Sequence, residues 1–158
     1  MVDTQHAARH VEMIEQVEQA VLASNGKSHA NGETRIICGG STKCDARSGY
    51  ICPTIVVNPP RDCRMLKDEI FGPILPVLTV QTRGEAIQLI RDMPGTPLCL
   101  YVFTTSSRVF DEITQKCPSG SAMRNDGVIH LASSHFPFGG LGSSGYGGYH
   151  GNILCSSL

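Results

Sequence analysis

The pattern that most constrains this chain lies between residues 74 and 125, where apolar runs alternate with amphipathic segments. Runs typical of strands occupy residues 74–80, 98–103 and 121–125, and segments of helical periodicity occupy residues 82–93 and 106–117. Residues 98–103 are apolar without alternation, which predicts a strand covered on both faces. Three strands separated by two helices within about 50 residues indicate a parallel α/β sheet with right-handed crossovers.

Turn and capping residues divide these segments. Thr82 and Glu85 match a capping box, and the Pro94-Gly95-Thr96-Pro97 stretch ends the helix that follows them. Ser106 is the predicted N-cap of the next helix. The inward face of that helix is predicted to carry Val109, Phe110, Ile113 and Cys117.

The N-terminal part of the chain predicts one long helix and two strands. Residues 4–23 carry apolar side chains three or four positions apart, and Asp3 or Thr4 is the predicted N-cap. The apolar positions are Val11, Ile14, Val17 and Val21. Residues 35–38 predict a short strand, and residues 50–57 predict a longer one in which Pro53 indicates an edge strand or a bulge.

His6 and His10 stand four positions apart in the first helix, so one metal ion could face both rings. The metalloprotease motif on a helix has a glutamate after the first histidine, whereas Ala7 occupies that position here. The spacing therefore favours two exposed helix histidines over a metal site.

Residues 69–73 mark the change from a charged segment to the apolar run at 74–80. Pro73 cannot continue a helix and biases Gly72 away from the right-handed helical region, so the chain leaves this turn extended. Glu69 and Phe71 are then placed at the end of a predicted strand. Such a pair can face a ligand, with the carboxylate accepting hydroxyl protons and the ring covering a flat heterocycle. The alternative is a surface glutamate beside a core phenylalanine.

The C-terminal part is rich in glycine, and Gly140, Gly142 and Gly145 formally match the dinucleotide-binding fingerprint. That fingerprint opens a helix and precedes an acidic residue about 20 positions on. Further glycines and the chain end follow here instead. We therefore expect a loop whose backbone packs closely against a ligand or a neighbouring segment. Its aromatic side chains, which are expected to be buried, are Phe136, Phe138, Tyr146 and Tyr149.

Composition narrows the classes of partner. A net charge of -1, with 17% charged residues, provides no basic surface for nucleic acid. No apolar run approaches the roughly 18 residues of a membrane span, so we expect a soluble, cytoplasmic chain without a membrane segment. Seven cysteines without a Cys-x-x-Cys pair argue against a disulfide framework and a zinc ribbon. Most thiols are expected to be reduced and several to be buried, with no metal bound.

Three stretches resemble the aldehyde dehydrogenase family: EIFGPILP at residues 69–76, PLCLYVF at 97–103 and FPFGGLGSSG at 136–145. The sequence YHG at 149–151 resembles the class 3 and fatty aldehyde dehydrogenase branch. The resemblance implies that residues 1–158 are the C-terminal portion of the catalytic domain, a partial parallel-sheet α/β fold ending in a glycine-rich loop. The cofactor domain and the nucleophile segment of the family lie upstream and are not matched.

By this resemblance, Glu69 hydrogen-bonds the nicotinamide ribose of NAD or NADP, and Phe71 lies beside the nicotinamide. Phe138 is similar to a residue near the aldehyde pocket, and Tyr149 and His150 resemble residues of the class 3 substrate funnel. In the family, a cysteine thiolate attacks the aldehyde, a hydride passes to NAD(P), and a glutamate-activated water hydrolyses the thioester. The nucleophilic cysteine and the general-base glutamate have no counterpart in this chain, so it is expected to be inactive alone.

The resemblance implies NAD(P)-dependent oxidation of an aldehyde to a carboxylic acid by an enzyme whose intact members are homo-oligomers. Two alternatives differ in class. The first is a non-catalytic module that docks onto intact aldehyde dehydrogenase subunits through an exposed apolar edge. The second is a cysteine-based metal module, which is supported by cysteine number alone.

Overall fold

The computed structural model describes residues 3–24, 32–129 and 138–149. The chain divides into two compact units, Met1–Arg83 and Gly84–Leu158, which we call unit 1 and unit 2. Structural statements below concern the described residues of each unit. Within those residues, no helix is both long enough and apolar enough to cross a membrane.

Unit 1 begins with the long helix α1, Thr4–Ser24. Asp3 caps it, because the Asp3 Oδ1 atom accepts a hydrogen bond of 2.6 Å from the His6 backbone N–H. The predicted apolar stripe is confirmed, and the buried face of the helix also includes residues outside that stripe. Its fully buried side chains are Ala7, His10, Met13, Ile14 and Val17, while Val11 and Val21 are partly buried against the same core.

The sheet of unit 1 has three strands: β1, Arg35–Cys38; β2, Thr54–Val57; and β3, Ile74–Val77. β2 is central, antiparallel to β1 and parallel to β3, so this sheet is mixed. The prediction of an edge strand at Pro53 is wrong. Pro53 precedes β2, and it therefore removes no N–H from the ladder. The register shift lies in β1 instead, between Ile36 and Cys38.

A short helix, α2, spans Arg64–Lys67 between β2 and β3. Its residue Met65 enters the core that α1 forms with the sheet. That core consists of Ala7, Ile14, Val17, Ile51, Val56, Cys63, Met65 and Ile74. Burial of one such side chain stabilises a protein by about 1.5 to 3 kcal/mol, so α1 and the sheet stabilise each other.

Unit 2 contains helix α3, Arg83–Asp92, which starts at the unit boundary, then β4, Cys99–Val102, α4, Ser107–Lys116, and β5, Ser121–Arg124. β4 and β5 are parallel, as predicted. The Ser106 cap is also confirmed, since its Oγ atom accepts a hydrogen bond from the Val109 N–H. β4 is not covered on both faces by the described residues, because only Val102 of this strand is buried.

One continuous parallel sheet from β3 through β5 was expected, and this prediction is wrong. β3 pairs with β2, whereas β4 pairs with β5 in a separate two-stranded sheet. The periodicity of each segment identified the helices and strands correctly. It contains no information on which strand edges form hydrogen bonds with each other.

Candidate functional site

The segment of residues 69–73 joins α2 to β3. α2 ends at Lys67, and the Asp68 N–H donates to the Arg64 carbonyl as the chain turns extended. At the other end, the Pro73 carbonyl accepts a hydrogen bond of 2.9 Å from the Thr54 N–H, immediately before β3. The segment thus lies before the amino end of β3, whereas ligand crevices in open α/β sheets lie beyond carboxyl ends.

Three successive backbone carbonyls of this segment are bound by one face of α1. Arg9 donates from Nη1 to the Glu69 carbonyl at 3.0 Å and from Nη2 to the Ile70 carbonyl at 2.7 Å. His10 Nε2 lies 2.7 Å from the same Ile70 oxygen, and His6 Nε2 lies 3.2 Å from the Phe71 oxygen. The backbone is therefore fixed while its side chains point elsewhere.

Phe71 has an uncommon backbone conformation, with φ at 51°. The left-handed region is sterically costly for a bulky residue, and such outliers persist where the surrounding contacts determine them. The Phe71 side chain is 74% exposed, so burial of the ring does not compensate for this strain. The conformation presents a flat apolar ring to solvent.

Glu69 is exposed, and its carboxylate accepts no hydrogen bond and forms no ion pair with any other described residue. An exposed carboxylate on a fixed backbone has its oxygens available for hydroxyl donors. The structure therefore places Glu69 and Phe71 together on one segment. Their predicted cofactor roles stay predictions.

The prediction that both helix histidines are exposed is wrong, since His10 is fully buried. Its ring lies between two carbonyl oxygens, because Nδ1 is 2.7 Å from the His6 oxygen and Nε2 is 2.7 Å from the Ile70 oxygen. A neutral imidazole has a single N–H and donates to one of them at a time. The two rings meet edge to face with centroids 4.6 Å apart.

Gly72 packs against His10. A Cβ atom at Gly72 would overlap the His10 ring, although the backbone at Gly72 has an ordinary negative φ. Close approach, and not a positive φ, therefore requires glycine here.

α1 also holds the segment from its other side through α2. Arg64 donates to the Glu12 carboxylate at 3.3 Å and to the Asp68 carboxylate at 3.1 Å. The Gln16 side chain accepts the Arg64 backbone N–H at 3.0 Å. These ion pairs are exposed and contribute little stability, about 0 to 1 kcal/mol each. They nonetheless fix where α2 ends and the segment begins.

A surface groove of about 440 Å³ runs along α1 and is lined by Asp3, Gln5, His6, Ala8, Arg9, Glu12 and Arg64. Neither Glu69 nor Phe71 lines it, so it is not the predicted cofactor site. Among the residues with described positions, no group of three or more histidine, cysteine or acidic side chains could hold a metal ion.

In unit 2, Phe138 lies in the short strand β6, Phe138–Gly139, and Tyr149 lies in β7, Gly148–Tyr149. The two strands are antiparallel, and Phe138 and Tyr149 are direct backbone partners. The fold thus brings two of the predicted substrate residues together. His150 lies outside the described residues.

The glycine-rich residues between β6 and β7 form a 3-10 turn, Gly142–Ser144, and not an α-helix. The dinucleotide fingerprint is therefore excluded here, as expected. Close backbone packing is confirmed, because a Cβ at Gly140 would overlap the Ser144 carbonyl and one at Gly139 would overlap the Gly147 carbonyl. Burial of Tyr146 is a wrong prediction, since this side chain is 98% exposed.

Six of the seven cysteines are described, and all six are free thiols, as expected. Burial raises the pKa of the Cys63 thiol and of the Cys117 thiol above their ordinary value. A raised pKa lowers the thiolate fraction and hence the reactivity. The packing of these two thiols is typical of structural cysteines.

Sequence reasoning missed the role of Arg9 and underestimated His10. Both precede the apolar stripe at helical spacing, since His6, His10 and Ile14 lie four positions apart. A buried polar residue requires hydrogen-bond partners, and the nearest extended segment with free carbonyls supplies them. Polar side chains on the apolar face of α1 were the available signal.

Residues 5–156 match the Aldehyde dehydrogenase family. Aldehyde dehydrogenase family 3 member B1 of Bos taurus is 43% identical over 120 residues, which cover 75% of this chain and 25% of that protein. Family 3 member A2 of Rattus norvegicus is 38% identical over 125 residues, 79% of this chain and 25% of that protein. The chain therefore spans about a quarter of the length of these relatives.

Solved structures agree with this match. A substrate-bound state of Staphylococcus aureus AldH superimposes with a TM-score of 0.78 and 33% identity over 96% of this chain and 29% of that one. An indole-3-acetaldehyde dehydrogenase variant of P. syringae, in complex with NAD+ and IAA, superimposes with a TM-score of 0.69 and 29% identity over 96% and 28%. The fold, the family match and these relatives together show that this chain belongs to the aldehyde dehydrogenase family.

Proposed function

We propose that this chain forms part of the catalytic domain of an enzyme that oxidises an aldehyde to a carboxylic acid with NAD or NADP. The observation that supports it most strongly is the segment of residues 69–71, where an exposed carboxylate and an exposed ring share a backbone fixed by α1. The P. syringae relative, described in complex with NAD+, supports NAD as the cofactor.

The described residues fit such a cofactor. The Glu69 carboxylate has acceptor oxygens for the two hydroxyl groups of a ribose, and the Phe71 ring offers a flat apolar surface for a nicotinamide. Bound there, the cofactor would accept the hydride that leaves the aldehyde carbon. The work of this segment is to orient the cofactor, and a fixed backbone lowers the entropic cost of doing so.

The nucleophile of the reaction is proposed to lie outside this chain. Cys63 and Cys117 have raised thiol pKa values because they are buried. Cys38 and Cys44 point their thiols at backbone carbonyls, those of Pro53 and Gly40. None of these environments favours a thiolate, which needs nearby positive charge or a helix N-terminus. The isolated 158-residue chain is accordingly expected to be inactive.

Phe138, Tyr149 and His150 are proposed to contact the aldehyde. The direct backbone pairing of Phe138 with Tyr149 supports a common location for these two residues. Substitution of Phe138 with alanine is expected to change the KM for the aldehyde and to leave the KM for NAD+ unchanged.

The proposal is tested with the protein expressed at its full natural length, by following NADH or NADPH formation with short and long aliphatic aldehydes. Glu69→Gln keeps the size of the side chain and removes its charge. We expect it to raise the KM for the cofactor about tenfold, because hydrogen bonds to a charged group are worth about 1.5 to 3 kcal/mol. Glu15→Gln, at an exposed position of α1, is the matched control.

Two results would contradict the proposal. One is a wild-type protein that reduces neither NAD+ nor NADP+ with any aldehyde tested. The other is a purified 158-residue chain that turns over by itself and loses this activity on Glu69→Ala. A cytoplasmic location is part of the proposal, and cell fractionation tests it.

A second proposed function is non-catalytic docking onto intact aldehyde dehydrogenase subunits. It is favoured by large apolar side chains exposed in unit 2 just past β4 and β5, namely Phe103, Val128 and Ile129. Co-purification with a full-length family member is the expected result. A monomer that leaves such a subunit unbound at micromolar concentration would contradict it.

A further inference from the structure

We propose that Arg9 and His10 are positioning residues for the cofactor, which they serve by fixing the backbone that carries Glu69 and Phe71. This inference rests on the proposed function and adds two residues that touch neither cofactor nor substrate in it. Both residues lie more than 55 positions from the segment in sequence and on a different element.

The first argument is the density of hydrogen bonds on a short exposed segment. The Arg9 guanidinium spans two adjacent carbonyls, those of Glu69 and Ile70. The Ile70 oxygen is also approached by His10 Nε2, so both of its lone pairs have a partner. A planar guanidinium with two donors fixes orientation as well as distance. The carbonyl positions of these residues, and hence the starting points of their side chains, are therefore determined.

The second argument is the strained residue that follows. Phe71 holds a φ of 51° with its ring exposed, so the conformation gains nothing from burial of that ring. Such a conformation persists only when neighbouring contacts impose it. Arg9 and His10 bind the two preceding carbonyls, and His6 Nε2 approaches the Phe71 carbonyl itself. These contacts determine the direction in which the ring points.

The third argument concerns Gly72. The His10 ring occupies the space that a side chain at Gly72 would need. The segment can reach α1 closely enough for the carbonyl contacts only because glycine stands there. The carbonyl-binding side chains and the sequence of the segment thus depend on each other.

A purely structural role would predict that these bonds attach a buried element. The segment itself is mostly exposed, at Glu69, Phe71 and Gly72. The core of unit 1 lies among other residues of α1 and the sheet. Fixing an exposed carboxylate and an exposed ring restricts side chains that the fold does not need, which is expected of residues that present a binding surface.

The test uses three variants of the protein at its full natural length. Arg9→Gln removes both guanidinium donors, and His10→Leu removes the ring donor from a buried position. His10→Gln keeps an N–H donor that can reach the Ile70 carbonyl. Arg108→Gln, at an exposed position of α4, is the matched control for loss of one positive charge.

Two readouts separate the steps of the inference. The Thr54 amide donates to Pro73 at the end of the segment, and the Asn58 amide donates to Val77 at the other end of the same strand pair. Hydrogen exchange at Thr54 is expected to accelerate in Arg9→Gln and His10→Leu, with exchange at Asn58 unchanged. This readout needs neither cofactor nor activity.

Steady-state kinetics provide the second readout. Arg9→Gln and His10→Leu are expected to raise the KM for the cofactor about tenfold, since a displacement of about 1 Å can cost up to ~10²-fold. The KM for the aldehyde should stay within about twofold, because the predicted aldehyde residues lie in unit 2. His10→Gln should restore most of the lost affinity for the cofactor.

The outcomes distinguish the two proposals. Wild-type activity with an unchanged cofactor KM in Arg9→Gln and His10→Leu would overturn the positioning role and leave the proposed function standing. Equal rises in both KM values, without rescue by His10→Gln, would also overturn it, because general loosening has that signature. A wild-type protein that reduces no NAD(P)+ would overturn the proposed function, and the positioning role with it.

Discussion

Unit 1 and unit 2 end a pair of parallel strands in the same way, with an asparagine in the left-handed region. Asn58 follows β2 with φ at 49°, and Asn125 follows β5 with φ at 59°. Each side-chain Oδ1 atom accepts the backbone N–H of a threonine two positions past the neighbouring strand. The distances are 2.8 Å to Thr79 and 2.7 Å to Thr104. Asparagine is suited to this corner because it tolerates positive φ and carries a short acceptor.

The two corners differ in their surroundings. Asn58 is only 6% exposed, and its carbonyl accepts a further hydrogen bond of 2.7 Å from the buried Thr34 hydroxyl. Asn125 is exposed, and its Nδ2 atom donates back to the Thr104 carbonyl at 2.9 Å. The same local solution is thus covered by protein in unit 1 and faces water in unit 2.

The cores show the same contrast among the described residues. Unit 1 buries a contiguous cluster that includes Ile14 and Val56, whereas the buried apolar side chains of unit 2 are Ile87, Val102 and Cys117. The candidate cofactor segment lies in the better-packed unit. Precise placement of a site requires a rigid support, so this location suits a positioning function.

The largest expected effect tests the cores. Ile14→Ala is expected to lower the free energy of unfolding by about 4 kcal/mol, and Ile87→Ala by about 2 kcal/mol, because the cost depends on how tightly the cavity is surrounded. Urea unfolding followed by circular dichroism measures both, and residue-level hydrogen exchange assigns each loss to its unit. Equal losses would show that unit 2 is packed as tightly as unit 1.

A second pair of substitutions compares the asparagine corners. Asn58→Ala is expected to cost about 3 kcal/mol and Asn125→Ala about 1 kcal/mol, because a buried N–H left without an acceptor costs more than one that water can reach. The free energy of unfolding is again the quantity measured. Asn58→Gly and Asn125→Gly are the controls, since glycine restores the positive φ without the side-chain acceptor. A similar loss at both corners would contradict the difference in burial.

The smallest expected effect concerns strain. Phe71 and Val128 both have positive φ, at 51° and 64°, and both side chains are mostly exposed. Val128→Gly is expected to raise the free energy of unfolding by about 1 kcal/mol, and Phe71→Gly by about half of that, since β-branched residues are the most strained there. Differential scanning calorimetry compares the melting temperatures. A loss of stability in Phe71→Gly would mean that the exposed ring stabilises the fold, which would weaken its assignment to a ligand.

Local sequence signals determined the type and the approximate bounds of most helices and strands. The helical spacing of Ile14 and Val17, the Ser106 cap and the stop at Pro94 act within one or two turns of the chain. The glycines around Gly140 likewise predicted close backbone packing, because absence of a Cβ is itself a local property. The motif at residues 69–73 indicated which segment to examine, because acid, aromatic, glycine and proline occur together there.

The tertiary structure decided the pairing of strands and the partners of polar groups. β1 is antiparallel to β2, and β3 and β4 lie in different sheets, which no periodicity within one strand can encode. The contacts of Arg9 and His10 with Glu69 and Ile70 join residues about 60 positions apart. Side-chain pattern determines which face of an element is apolar, but a hydrogen bond between distant residues forms only when the whole chain has packed, because its partners come from separate elements.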